Sequence, residues 1–244
     1  MRPMFSRRFV LLAGVLVSLN VALWFAASGL ALRNAVVQQV FGPKLVRLEV
    51  IEKGGADWRI DRGVITSVNS RQITLREADG RIQAIPLSTS TIAIRLGRRI
   101  SLDQLTRHWD VLVRWRANGT AQSVDVERLP RWLRKTIVRQ FFGPRMIRAE
   151  AINKAPVCGS TDCRVDRGVI TSVSSSQVTL HEADGRIQQI PLSSSTQVIY
   201  LGGRLSVSSL ARRWHVLVTW PASGAAQSVD VERIPRAASG QASG

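Results

Sequence analysis

Asp61-Arg62-Gly63-Val64-Ile65-Thr66-Ser67-Val68 returns letter for letter at positions 166–173, and this octapeptide decides the fold. Carried outward at a constant offset of 105, residues 61–130 align with 166–235 without a gap; 48 of the 70 positions are identical and 22 differ. Segments that agree so closely must adopt one structure, so the chain is a tandem duplication. A second recurrent piece precedes each copy at an offset of 101: Ala31 to Phe41 matches Trp132 to Phe142, and each ends in Phe-Gly-Pro. The two offsets differ by four residues, inserted ahead of the second copy.

Within each repeat the apolar residues alternate. Ile60, Val64, Ile65 and Val68, then Ile73 and Leu75, Ile82 and Ile85, Ile92, Ile94 and Leu96, Val111, Val113 and Trp115, and Val124 and Val126 form short β-branched runs, the mark of strands. Asp79-Gly80 and Asp184-Gly185 punctuate them as hairpin turns, and Ser101 to Leu105 reads as one capped helical turn. The expected fold is mainly β: two tandem small antiparallel barrels, closed or nearly closed, an arrangement that removes sheet edges. Each barrel is expected to follow a helix that Gly and Pro terminate.

The 244 residues then divide into an N-terminal segment 1–32, a first helix and barrel 33–130, a linker helix and second barrel 131–235, and a small, polar tail 236–244. Arg2, Arg7 and Arg8 precede Phe9 to Leu32, 24 residues without a charge. About 20 apolar residues cross a bilayer, whereas an export signal needs about 7 to 15 and a small-residue cleavage site. The length favours an uncleaved transmembrane anchor, and Ala26-Ala27-Ser28-Gly29 leaves a cleaved signal open. Either way the basic flank places the remainder outside the cytoplasm. A bacterial cell membrane, with the bulk of the chain extracytoplasmic, is the expected location.

The net charge of +17 raises an anionic partner. Residues 131–148 hold six basic and no acidic side chains, whereas 149–236 hold nine and seven. In the linker helix Trp132, Leu133, Ile137, Val138, Phe141 and Phe142 form an apolar stripe, with Arg131, Arg134, Lys135 and Arg139 opposite. Those four side chains are either a solvated face or contacts to an anionic surface. A cationic groove is not shared between the repeats: Arg71, Arg76, Arg95, Arg98, Arg114 and Arg116 become Ser176, His181, Tyr200, Gly203, Thr219 and Pro221.

Duplication also tests for chemistry, since an ancestral site should recur. His108, His181 and His215 align with Arg213, Arg76 and Asp110, so neither a histidine metal site nor a cofactor is expected. Acidic residues do recur, at Asp61/Asp166, Glu77/Glu182, Asp79/Asp184, Asp125/Asp230 and Glu127/Glu232. Asp125 and Glu127 alternate with Val124 and Val126 and read as a solvent face, Asp79 as a turn, and Asp61-Arg62 as the exposed start of a strand. No catalytic residue is assigned. Trp115 and Trp220 continue an inward phase and read as core. Cys158 and Cys163, both in the inserted loop, read as a local disulfide in an oxidising compartment, with free thiols as the alternative; C-x4-C is neither a redox nor a zinc spacing.

The pattern Gly63-Val-Ile-Thr-Ser-Val, Thr74-Leu, Asp79-Gly80-Arg, Pro86-Leu-Ser, Thr91, Leu105, Val111-Leu-Val and Val124-Asp-Val-Glu resembles a family of small bacterial β-barrel domains of uncharacterised function. Such domains occur in exported or membrane-anchored proteins, sometimes as repeats. The resemblance covers about 60–130 and 165–235, and implies an oligonucleotide-binding-fold-like barrel in an extracytoplasmic setting with no catalytic residue to carry over. The chain departs from the pattern at His108-Trp109-Asp110 and Arg213-Trp214-His215, where a Gly-Asp turn is usual. The expectation is a membrane-anchored structural or interaction module that meets another envelope protein. The alternative is a binder of anionic polymer or lipid headgroups, with nucleic acid not favoured.

Overall fold

The computed structural model describes residues 44–126 and 143–235. The N-terminal segment 1–32, the expected helices before each repeat, the four cationic residues Arg131, Arg134, Lys135 and Arg139, and the tail lie outside the described residues. Among the described residues no helix is long and apolar enough to cross a membrane.

The described chain is mainly β. The first repeat contributes β1 (Leu45–Glu52), β2 (Asp57–Val68), β3 (Gln72–Glu77), β4 (Ile82–Pro86), β5 (Ile92–Arg95), β6 (Arg98–Ile100), β7 (Asp110–Arg116) and β8 (Ala121–Val126). The second follows the same order with β9 (Met146–Asn153), β10 (Asp162–Val173), β11 (Gln177–Glu182), β12 (Ile187–Pro191), β13 (Gln197–Tyr200), β14 (Gly203–Leu205), β15 (His215–Pro221) and β16 (Ser228–Arg233). The expected helical turn is a short 3-10 turn at Leu102–Gln104, repeated at Val207–Ser209.

Two features correct the expected pair of closed antiparallel barrels. The hydrogen-bonded ladder stays open: β4 pairs only with β3 and β6 only with β5, while β5 and β8 run parallel. The repeats are also not separate bodies. β1 pairs antiparallel with β9, so all sixteen strands form one sheet, with β2-β1-β9-β10 as its central run. In this pairing Glu49 faces Glu150, Leu48 faces Ala151 and Val50 faces Ala149. Because Glu49 and Glu150 occupy equivalent positions, a pseudo-two-fold axis passes between them, as in an isologous dimer interface.

Long strand β2 belongs to two layers. It pairs with β7 from Trp58 to Val64, while its other edge meets β1 from Asp57 to Asp61 and β3 from Gly63 to Val68. The change of partner requires Gly63. A Cβ there would stand 2.6 Å from the Arg76 carbonyl oxygen, and one at Gly168 would stand 2.8 Å from that of His181. This close approach brings Glu77 and Glu182 over β2 and β10.

Three cores result. One lies within each repeat, around Ile65, Leu75, Val113 and Trp115 and around Ile170, Leu180, Val218 and Trp220. The third draws on both repeats and backs the seam with Leu48, Val50, Trp58 and Ile60 against Met146, Ala149, Ala151 and Val165. Cys158 and Cys163 form a disulfide buried in this shared core, 5.7 Å apart at Cα. Cys163 stands where the first repeat has Trp58, so the inserted pair fills a tryptophan's place instead of decorating a surface loop.

Candidate functional site

The central run turns one face to the shared core and the other outward. Directly opposed residues share a face, so the outward floor is read from the pairings: Arg47 with Asp61, Glu49 with Arg59 and Ile51 with Asp57. Across the axis come Arg148 with Asp166, Glu150 with Arg164 and Ile152 with Asp162. All six positions are identical between the repeats. Every buried position alternating with them differs: Leu45/Met146, Val46/Ile147, Leu48/Ala149, Val50/Ala151, Glu52/Asn153, Trp58/Cys163 and Ile60/Val165. Packing alone would hold the core side and let the outer side drift, so the reverse pattern marks the outer face as the constrained one.

Hairpins β3–β4 and β11–β12 contribute side chains beside this floor. Arg47 bonds Asp79 and lies 3.0 Å from Glu77; Arg148 bonds Glu182 and reaches Asp184 at 2.7 Å. Arg59 donates to Glu49 at 3.1 Å with its guanidinium over the Trp115 ring, and Arg164 repeats both contacts with Glu150 and Trp220. On the second side a cleft of ≈ 240 Å3 opens between the repeats, lined by Glu49 and Ile51 from β1 and by Arg164, Asp166, Arg186 and Gln188 among others. Arg81 and Gln83 are the first-repeat counterparts of Arg186 and Gln188.

Beneath each half lies a buried acid pair. Asp61 accepts a bond from the Trp115 indole N–H, and Asp166 one from Trp220. Glu77 and Glu182 sit against these aspartates with 3% and 0% of their surface exposed. Burial, then the neighbouring aspartate, pushes Glu77 and Glu182 up from 4.5 to about 7. Asp57 and Asp162 are raised too, by burial and then by Glu49 and Glu150 respectively.

Several sequence expectations are corrected here. Asp61 is 3% exposed and not the exposed start of a strand, because the Trp115 indole and Glu77 pack against its carboxyl. Asp125 is 2% exposed and not on a solvent face: β8 lies between β7 and β5, Ser123 bonds its carboxyl, and burial raises it to about 6. Val64, Ile82 and Leu96, members of the apolar runs that mark the strands, are 40%, 54% and 76% exposed. Trp115 and Trp220 are core residues, at 5% and 6%. At the His108-Trp109-Asp110 departure the two repeats adopt the same turn: His108 and Arg213 have φ of 71° and 70°, and their amides donate to the carbonyls of Ile65 and Ile170. Glu127 lies outside the described residues.

Of the first-repeat arginines weighed for a cationic groove, Arg95 and Arg116 are exposed, with guanidiniums 4.5 Å over Trp109 and 4.7 Å over Trp58. Arg62 pairs with Asp110 at 3.5 Å. Among the described residues no group of three or more His, Cys, Asp and Glu could hold a metal ion. A hydroxyl-lined groove of ≈ 610 Å3 recurs at ≈ 420 Å3 in the first repeat, but four of nine shared lining positions differ, among them Asn69/Ser174 and Asp103/Ser208. The seam face is the better preserved feature. Its sequence signal was the recurrence of Arg47-x-Glu49-x-Ile51 as Arg148-x-Glu150-x-Ile152, which the 105-residue offset conceals.

The chain matches no family model, including any for the barrel family its motifs resemble, and no curated protein. Among solved structures it is similar to a deletion mutant of the single-stranded DNA binding protein from Thermus aquaticus, with 14% identity over 82% of this chain and 97% of that one. The TM-score is 0.19, a value at which the two backbones do not define a common fold.

Proposed function

We propose that this protein is a non-catalytic interaction module, held at the outer side of a cell membrane by its N-terminal apolar segment and presenting the seam face to another envelope protein. The observation that carries the reading is the inverted pattern of identity across the seam, where an outward polar face is held while the core behind it has changed. A sheet continuous through β1 and β9 gives that face a rigid backing. Binding surfaces built on regular elements hold their geometry better than those built on loops. The anchor and its orientation rest on Phe9 to Leu32 and the arginines before them.

Crosslinking in native membranes followed by recovery of the full chain tests the reading. A protein partner joined to the described strands is expected. Recovery of nucleic acid or an anionic envelope polymer in its place would overturn it in favour of the polyanion binder. A reporter active only outside the cytoplasm, fused after Gly244, is expected to be active, and activity confined to the cytoplasm would remove the assigned location.

A further inference from the structure

We infer that the β5–β6 hairpin tip, Leu96-Gly97 within a collar of Arg95, Arg98 and Arg99, is a contact element for an anionic phospholipid surface. The leucine enters the interfacial layer and the guanidiniums meet headgroup phosphates. This goes beyond the interaction-module reading and rests only on its membrane location, since none of the tip residues belongs to the seam face. A tip held on the bilayer orients the module that the N-terminal segment tethers.

Three observations carry the inference, the first of them conformational. Leu96 is 76% exposed at φ of 50°, and its counterpart Leu201 is 61% exposed at 49°. Left-handed backbone is unfavourable for leucine and Asn suits the turn better, yet both repeats keep an apolar side chain there without burying it. The second is charge. Residues 92–102 hold three arginines and no acid, and all three arginines are exposed. Arg95 stacks 4.5 Å over Trp109, which sets the loop carrying exposed Arg107 beside the tip. An apolar residue among basic ones is the composition of an interfacial contact: the apolar part buries at the acyl boundary while arginine stems snorkel to the phosphates. The third is place. β6 ends the sheet, and no strand pairs beyond it among the described residues. Arg95 lies opposite Val126 in the parallel β5–β8 pair, so the chain leaves β8 next to the tip and runs on toward residues 131–148, six basic and none acidic. Like charge disfavours either that stretch or the same tip of a second copy as the cover, whereas one anionic surface accepts both cationic features. At the second tip the leucine stays, but Tyr200 and Gly203 replace Arg95 and Arg98 and leave Arg204 alone, so the first tip is the stronger contact.

Hydrogen–deuterium exchange on the full chain in bilayer nanodiscs, made of phosphatidylcholine with or without phosphatidylglycerol, tests the contact. Amides of the Leu96 tip should exchange roughly tenfold or more slowly in the anionic discs, and those of the Leu201 tip should be slowed less. Arg98→Gln with Arg99→Gln should remove most of the slowing. Leu96→Asn should melt higher than the parent and yet lose the slowing, two opposite changes that misfolding cannot produce together. Equal exchange in the two kinds of disc, or a slowing that survives Leu96→Asn, would overturn the inference. So would a tip already slow in detergent, which assigns its cover to protein, or one slowed there by inorganic phosphate, which assigns the collar to a free anion. A protein partner crosslinked at the seam with an unprotected tip keeps the module and removes the bilayer contact. A reporter active only in the cytoplasm removes the location, whatever the tip does in discs.

Discussion

At the scale of single residues the duplicated acid pair is the most informative feature. A carboxyl held at about 7 in the folded chain and 4.5 in the unfolded one binds its proton more tightly when folded. Stability is then greatest below about pH 4.5 and falls as pH rises through 7, the opposite of an acid held by an arginine alone. Arg47 and Arg148 pull the other way, but burial and the adjacent aspartate outweigh them. At 1.36 kcal/mol per unit, the loss is at most about 3 kcal/mol for each pair. Thermal midpoints of the full chain should therefore fall between pH 5 and pH 8. Glu77→Gln with Glu182→Gln should remove most of that slope, since a carboxamide keeps the neutral donor toward Asp61 and Asp166; what remains belongs to groups such as Asp125. A midpoint that rises over this range would show that the pair is ionised throughout.

At the scale of elements, strand identity was legible because β-branched alternation and Asp-Gly turns are local signals. Positions β2 to β5, β7 and β8 follow the apolar runs, and both 3-10 turns fall where a capped turn was expected. Exposure was less legible, because alternation gives a strand's phase but not which neighbour covers which side. Asp61 and Asp125 are inside and Val64 and Ile82 outside for that reason. Leu96 is the clearest case. It reads as the last apolar residue of β5, but with Gly97 it makes the two-residue turn into β6, at φ of 50° and 80°. Leu201 and Gly202 repeat this at 49° and 81°. Positive φ at both central positions is what a type I′ hairpin turn needs, and Asn suits the first position far better than Leu. The left-handed conformation costs a residue such as Leu roughly 1–2 kcal/mol, and an exposed Leu recovers none of it through burial. Leu96→Asn is expected to stabilise the protein by about 1 kcal/mol in denaturant unfolding. A decrease would mean that the leucine tip packs on something beyond the described strands.

At the scale of the whole molecule the seam was not legible, because pairing between β1 and β9 is a contact between repeats and the alignment that revealed the duplication says nothing about how its copies meet. The core side of the seam nevertheless records the pairing. Leu48 lies across from Ala151 and Val50 across from Ala149, so each large side chain meets a small one. Pairing two first repeats would set Leu48 against Val50 on both sides of the axis, and overpacking of that kind costs about 1–3 kcal/mol. Pairing two second repeats would set alanine against alanine and leave a cavity. The differences at these buried positions therefore compensate one another, which explains how the core drifted without opening the sheet. It also predicts what happens when the covalent link is cut. With a protease site placed between residues 127 and 142, the two halves should remain a 1:1 complex after cleavage, because strands and core residues of both repeats meet directly across the β1–β9 ladder. Refolding the separated halves together should return the mixed pair in preference to either homodimer, as read by native mass spectrometry. Halves that part on cleavage, or that pair with themselves as readily as with each other, would show that the linker and not side-chain complementarity holds the seam.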